Sequence, residues 1–442
     1  MSKVDVVIVG SGLAGLSCAR ELCDRGLKVV ILEQCPVVGG RTSSWNERGM
    51  HVESGLHRYL GFYRAMPELL SNCGLSLDEV VIWEDEMEIR TPQLEPAVFG
   101  MSPFFRPWQT VTSWLDNRHL LSTRDKASLL PFFLMGLKEY YTRPGYLDQF
   151  SVAEWADRYS VTAAALQRLL VPLTAGIFFL PPEQYSAQVL MGIVAQALPT
   201  GYKTRIGAFS GGMTEVMTGP IAGWLTKKGV SVITDAPVTR LCGSRDKITG
   251  VEVNGKKILA EQVVVATGLG PAQRLLTPLF KNHLRFKNLF ALPTMAEINI
   301  QLELDSPALP VDRTTFGPGT SLACMAEQSR TTFRNLPGRL SIILSPAEKF
   351  YTLTPAAIFD HVVAEAKKLH IFIKERVTKY RVIKHPKDFY AISPGTDHLR
   401  PSQHTSVPGL VLAGDYTQQP WYCTMEGAVI SGKKAAQVIL SC

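Results

Sequence analysis

Apolar residues crowd the start of the chain, where Val4, Val6, Val7, Ile8 and Val9 form a run suited to a parallel strand buried on both faces. A helical period follows over 13–25 with Leu16, Ala19 and Leu22 inward, Gly26 stops it, and 29–32 predict a second buried strand. The strand signal returns at 230–234, 238–241, 248–253, 261–268 and 409–417, with Asn254 and Gly255 marking a hairpin. Between these blocks the pattern changes. Residues 84–90 predict a polar strand, and helices then dominate to about residue 200. Ser151 with Glu154 three residues on is a capping box, and 169–179 and 184–198 are apolar helices separated by Pro181 and Pro182. Residues 295–304 alternate Glu297, Asn299, Gln301 and Glu303 against Ala296, Ile298, Ile300 and Leu302. That period of two predicts a strand with one wet face, paired with 340–344 and followed by a helix from Thr354 or Pro355 to about residue 369.

The punctuation of these elements carries the chemistry. Gly10, Gly12 and Gly15 stand between the first strand and the first helix at dinucleotide-fingerprint spacing. The helix opened by Leu13 and Ala14 points its free N–H groups and positive dipole end at a phosphate. Glu33 closes the second strand 18 residues after Gly15, where a carboxylate accepts from ribose hydroxyls and repels a 2′-phosphate. Gly39 and Gly40 let backbone pass close to the cofactor, and Arg41 offers a planar fork to the pyrophosphate. Near the carboxyl terminus Gly414 and Asp415 end a strand, so that the carboxylate can accept from a hydroxyl of the cofactor. Met425 and Ala428 then open a helix whose N–H groups and positive dipole end can face a bound cofactor.

Composition changes little. A net charge of +7 without a basic block gives nucleic-acid binding no support and allows attraction to an anionic membrane surface. Eight cysteines without a C-x-x-C pair read as reduced thiols. No stretch reaches 18 apolar residues. Residues 129–137 and 169–180 are core or substrate-tunnel lining, with insertion into one leaflet as the alternative. No nucleophile, triad or metal set stands out, so the cofactor supplies the chemistry.

The Gly39-Gly40-Arg41 extension resembles the fingerprint of FAD-dependent amine oxidases, phytoene desaturases and related flavoproteins. Gly55-Leu56-His57 through Gly61-Phe62-Tyr63, Leu412-Ala413-Gly414-Asp415-Tyr416-Thr417 and Met425-Glu426-Gly427-Ala428 resemble plant and cyanobacterial carotene desaturases. The resemblance implies an α/β fold, a Rossmann-type FAD-binding domain with an inserted α+β substrate domain. The FAD domain would comprise 1–80, 205–275 and 385–442, and the substrate domain 81–204 (mainly helical) and 276–384 (antiparallel sheet and helix). Carried over by motif, FAD contacts fall on Gly10, Gly12, Leu13, Ala14, Gly15, Glu33, Gly39, Gly40, Arg41, Val238, Ala266, Gly414, Asp415, Met425 and Ala428. His57 is a wall of the flavin pocket, with catalytic base as the sharper alternative.

The implied activity is dehydrogenation of an apolar isoprenoid by hydride transfer to flavin N5, with quinone or oxygen as acceptor. The protein would be cytoplasmic, with peripheral membrane association. Candidate substrate lining is Phe132, Phe133, Ile177, Phe178 and Phe179. Two segments depart from the desaturase pattern. Gly211-Gly212-Met213 looks more like squalene-type dehydroxylases and amine oxidases, and Ala197 stands where plant-type desaturases carry an arginine. The alternatives are therefore an amine oxidase, a dehydroxylase or a redox-neutral isomerase.

Overall fold

The first strand, Val4–Val9, sits at the middle of a parallel sheet, as its unbroken apolar run requires. Val29–Leu32 lies on one side of it and Lys256–Val265 on the other. Ser231–Ile233 extends the sheet beyond Val29–Leu32, and Leu410–Leu412 pairs with the far edge of Lys256–Val265. The front half of Lys256–Val265 joins Ile248–Val253 and Val238–Gly243 in an antiparallel meander. Its hairpin turns through Asn254 and Gly255, both at positive φ (49° and 72°), the geometry that favours those two residue types. The computed structural model describes residues 4–101, 112, 116–199 and 204–441.

A second, seven-stranded sheet runs in the order Val377–Tyr390, Thr294–Leu304, Gly338–Leu344, Leu322–Glu327, Thr314–Phe316, Glu86–Thr91, Leu94–Gly100. The helical layer comprises Thr123–Thr142, Val152–Arg158, Val171–Phe178 and Ala187–Ala197. The Ser151 capping box forms, with Ser151 Oγ accepting from Glu154 N at 3.1 Å and Glu154 Oε2 accepting from Ser151 N at 2.8 Å. The last helix, Met425–Leu440, packs on the first, Leu13–Cys23, so closely that a Cβ on Gly432 would lie 2.2 Å from Ala14 O. Ser17 Oγ donates to Val429 O at 2.9 Å across the same contact. This crossing brings the carboxyl-terminal motif beside the amino-terminal fingerprint.

Three sequence expectations need correction. Residues 84–90 divide into two strands, Val81–Glu84 and Glu86–Thr91, and Glu84 and Glu88 are buried in ion pairs with Arg58 and Arg90. The polar row Glu297, Asn299, Gln301 and Glu303 has no wet face, because all four are buried. Strand alternation reports that two faces differ in polarity, and the hairpin of Ser44–Glu47 and Met50–Glu53 then covers the polar one. Phe132 is core, its carbonyl accepting from Trp155 Nε1, and neither it nor Phe133 lines the cavity described below. Seven cysteines are described and all are free thiols, while Cys442 lies outside the described residues.

Candidate active site

The glycine turn is shaped by its neighbours. Gly10 sits at φ +103°, where a side chain would also meet Ala266 O at 2.8 Å. A Cβ on Gly15 would lie 2.1 Å from Gly10 O, so the helix can approach the strand only without one. At Gly12, by contrast, a Cβ would meet only Gly39 O at 3.9 Å, leaving room along the turn for an elongated ligand. The first helix has neither a side-chain cap nor an acidic residue in its first turn, so its N–H groups are available to an anion.

Glu33 is buried, and its carboxylate is already shared. Oε2 accepts from Ser11 N at 2.9 Å and Ser11 Oγ at 2.7 Å, and Oε1 accepts from Cys35 N at 3.0 Å. A carboxylate offers about four lone-pair sites, and the Cys35 thiol also hydrogen-bonds to this one, so a ribose hydroxyl would take the thiol's place. Asp235 N and Ala236 N donate to Cys35 O and Glu33 O, which holds the segment entering Val238 against this end. Arg41 does not reach outward alone. Its Nη2 lies 2.7 Å from Asp415 Oδ1, and the guanidinium sits 4.6 Å over the Phe389 ring. Burial opposes the charge on Arg41, but Asp415 outweighs it and raises the pKa.

One cavity of about 360 Å³ continues from this cradle. Leu13, Gly39, Arg41, Asp415, Met425, Ala428 and His57 line it, together with Leu173, Ile177, Phe178, Phe179, Ile193 and Phe316. The other motif positions, Gly10, Gly12, Ala14, Gly15, Glu33, Gly40, Val238, Ala266 and Gly414, lie outside its lining. They belong to the turn, the strand ends or the Glu33 end. His57 Nδ1 is 3.0 Å from Gly55 O, which marks that nitrogen as the protonated one, and burial pushes its pKa down to about 4. It is a neutral imidazole at physiological pH.

Sequence reasoning missed Glu297 and His385, both of which line the cavity. The buried row explains why they are held so firmly. Asn299 Nδ2 donates to Ser54 O at 3.1 Å, and Gln301 exchanges two bonds with the backbone of Glu53, at 2.6 and 3.0 Å. His385 Nε2 donates to Ser54 O at 2.7 Å, and its Nδ1 is 3.7 Å from Asp388 Oδ2. These bonds fix the backbone entering Gly55–His57, the wall of the pocket. Burial opposes charge on His385, but Asp388, Glu297 and Ser54 O together hold its pKa above the ordinary value. The available signal was four polar residues on one strand face, which burial, not periodicity, makes informative.

Residues 13–440 match the family of flavin containing amine oxidoreductases, and the chain belongs to it. FAD is its cofactor, and the glycine turn, the uncapped helix and the buried Glu33 carboxylate beside them fit that group. Among curated relatives, a 15-cis-phytoene desaturase of Synechococcus elongatus is 28% identical, with 99% of this chain and 96% of that protein covered. A zeta-carotene desaturase of Synechocystis sp. is 27% identical, with 99% and 97% covered. A putrescine oxidase solved with putrescine bound shares the fold at TM-score 0.76 and 20% identity, with both chains covered completely. An oxidoreductase from Methanosarcina mazei does so at TM-score 0.76 and 17% identity, with 99% and 100% covered. The chain is thus a flavin-dependent oxidoreductase.

Proposed function

We propose that this enzyme desaturates a long, uncharged isoprenoid of the carotene-precursor class. The observation that carries the reading is the continuity of an apolar cavity with the flavin cradle, its walls supplied by Leu173, Ile177, Phe178, Phe179 and Ile193. At ~0.8 kcal/mol per buried CH₂, such walls hold a hydrocarbon chain without an ionic anchor. The two desaturase relatives, matched over almost their whole length, support the same substrate class. FAD, when bound, supplies the hydride acceptor, and a quinone or oxygen reoxidises it. The protein's own part is to orient one carbon toward that acceptor and to exclude water. Neutral His57 serves as wall in this arrangement.

Substrate of this kind resides in a bilayer, and the enzyme meets it there as a peripheral protein. Leu130, Leu134 and Tyr141 are 61%, 57% and 64% exposed along helix Thr123–Thr142. The neighbouring helix, Ala187–Ala197, carries the cavity-lining residues Ile193 and Ala197 and leads to Leu198, itself 57% exposed. Among the described residues no helix is long and apolar enough to cross the membrane.

The test is anaerobic. Oxidised holoenzyme is mixed with carotene precursors in liposomes or with amines in buffer, and the flavin absorbance is followed. Bleaching by the isoprenoids is expected, and bleaching by amines alone overturns the reading.

A further inference from the structure

Desaturation removes a proton as well as a hydride, and two carboxylates, Asp415 and Glu297, line the cavity among the described residues. Asp415 is neutralised by Arg41 at 2.7 Å. Glu297 is 2% exposed and receives one N–H, from Asn299 Nδ2, shared between its oxygens at 3.2 and 3.3 Å. His385 Nε2 stands 3.9 Å away, but its proton is directed to Ser54 O. Among the described residues most of the lone pairs of Glu297 are therefore unengaged, at the edge of an apolar cavity. We propose that the Glu297 carboxylate is the proton acceptor of the desaturation, and that His385, held between Ser54 O and Asp388, is the positioning residue that favours its ionised form. The assignment rests on the desaturase reading.

The step balances. One C–H bond breaks with its electron pair leaving as hydride to oxidised FAD. The C–H bond on the adjacent carbon breaks with its proton passing to a Glu297 oxygen, and its electron pair becomes the new double bond. The substrate loses two electrons, and the quinone or oxygen finally receives them.

The other lining bases are poorer acceptors. His57 Nε2 has no partner among the described residues, but burial holds its pKa near 4, whereas burial pushes Glu297 up to about 7 against the opposing pull of His385 and Asn299. A base poised near the working pH combines availability with driving force. The charged and titratable groups around the pair are His57, Arg41 and Arg58 from the first segment, and His385 and Asp388 from strand Val377–Tyr390.

The experiment compares wild type, Glu297→Gln and Glu297→Asp holoenzymes in anaerobic flavin bleaching by isoprenoid across pH, alongside FAD affinity. General-base catalysis is worth 10²–10⁴-fold, so Glu297→Gln is expected to bleach at least about 100-fold more slowly. Its FAD affinity should stay within about threefold, its pH profile should be flat, and Glu297→Asp should restore the profile in part. Infrared titration of the resting holoenzymes gives a second readout, in which a carboxyl band should vanish as pH rises through neutrality in wild type and be missing from Glu297→Gln. Equal bleaching rates in wild type and Glu297→Gln, or an identical band in both, overturn the assignment while leaving the desaturase reading intact. Wild type left oxidised by every isoprenoid overturns the reading and the assignment together.

Discussion

Glu33 shows how much of a glycine turn, here the proposed FAD site, one carboxylate can organise. Its bonds to Ser11 N, Ser11 Oγ and Cys35 N tie the glycine turn to the end of the second strand. Glu33→Gln replaces one acceptor oxygen by a donor that then faces another N–H. A hydrogen bond to a charged group contributes ~1.5–3 kcal/mol, so FAD affinity should fall by roughly 10- to 100-fold. Titration of apoprotein with FAD measures this, and equal affinities for wild type and variant would remove Glu33 from the site. Glu53 gives a pH prediction of defined sign. Burial pushes its carboxyl up to about 7 from 4.5, with Arg339 opposing. Between those values the unfolded chain has released a proton that the fold retains, so this group's contribution falls as pH rises through the window. His57 acts in the opposite sense, because its pKa drops from 6.5 to about 4 and the fold gains as pH rises across that interval. The melting temperature of Glu53→Gln should therefore decline less than that of wild type between pH 5 and 7.5. Parallel curves would show Glu53 ionised in the fold.

At the scale of elements, local signals were legible wherever the chain's own neighbours decide the outcome. The strand Val29–Leu32, the hairpin at Asn254 and Gly255 and the Ser151 cap follow from apolar runs, turn residues and a capping side chain. Partners distant in sequence were not legible. Nothing in the alternation of Thr294–Leu304 announces that Glu53 and Ser54, about 245 residues earlier, will satisfy its polar row. The same holds for Glu426, read from sequence only as part of a motif. It is fully buried, and its carboxylate accepts from Arg64 N, Ala65 N and Met66 N at 2.7 to 2.8 Å, capping helix Ala65–Asn72 from the other end of the chain. Glu426→Ala leaves three N–H groups without their acceptor. With each unsatisfied buried group costing about 1–3 kcal/mol, a loss of at least about 3 kcal/mol is expected in denaturant unfolding. A loss below 1 kcal/mol would mean that water replaces the cap.

For the whole molecule, the glycine turn and carboxyl-terminal motif were readable because each is short and chemically demanding, whereas the cavity is assembled from many separate segments. The pattern named Ile177, Phe178 and Phe179 for its walls but also Phe132, since apolarity alone cannot separate core from lining. Helix Thr123–Thr142 shows the remaining ambiguity resolved by exposure. Phe132 and Gly136 face inward, while Leu130 and Leu134, four residues apart and therefore on one face, point to solvent. Two exposed leucines on adjacent turns, with Tyr141 on the same helix, are what a helix lying in a lipid interface presents. Burying one leucine in hydrocarbon contributes ~1.5–3 kcal/mol, so a Leu130→Ser/Leu134→Ser double variant should bind neutral vesicles roughly 100-fold or more weakly. Because both side chains are already exposed, its melting temperature should stay near that of wild type. Flotation with phosphatidylcholine vesicles, repeated with anionic lipid at two salt concentrations, separates the apolar contribution from the attraction of a net charge of +7. Wild type that does not float would overturn the proposed membrane association, and undiminished flotation of the double variant on neutral vesicles would remove this helix from it.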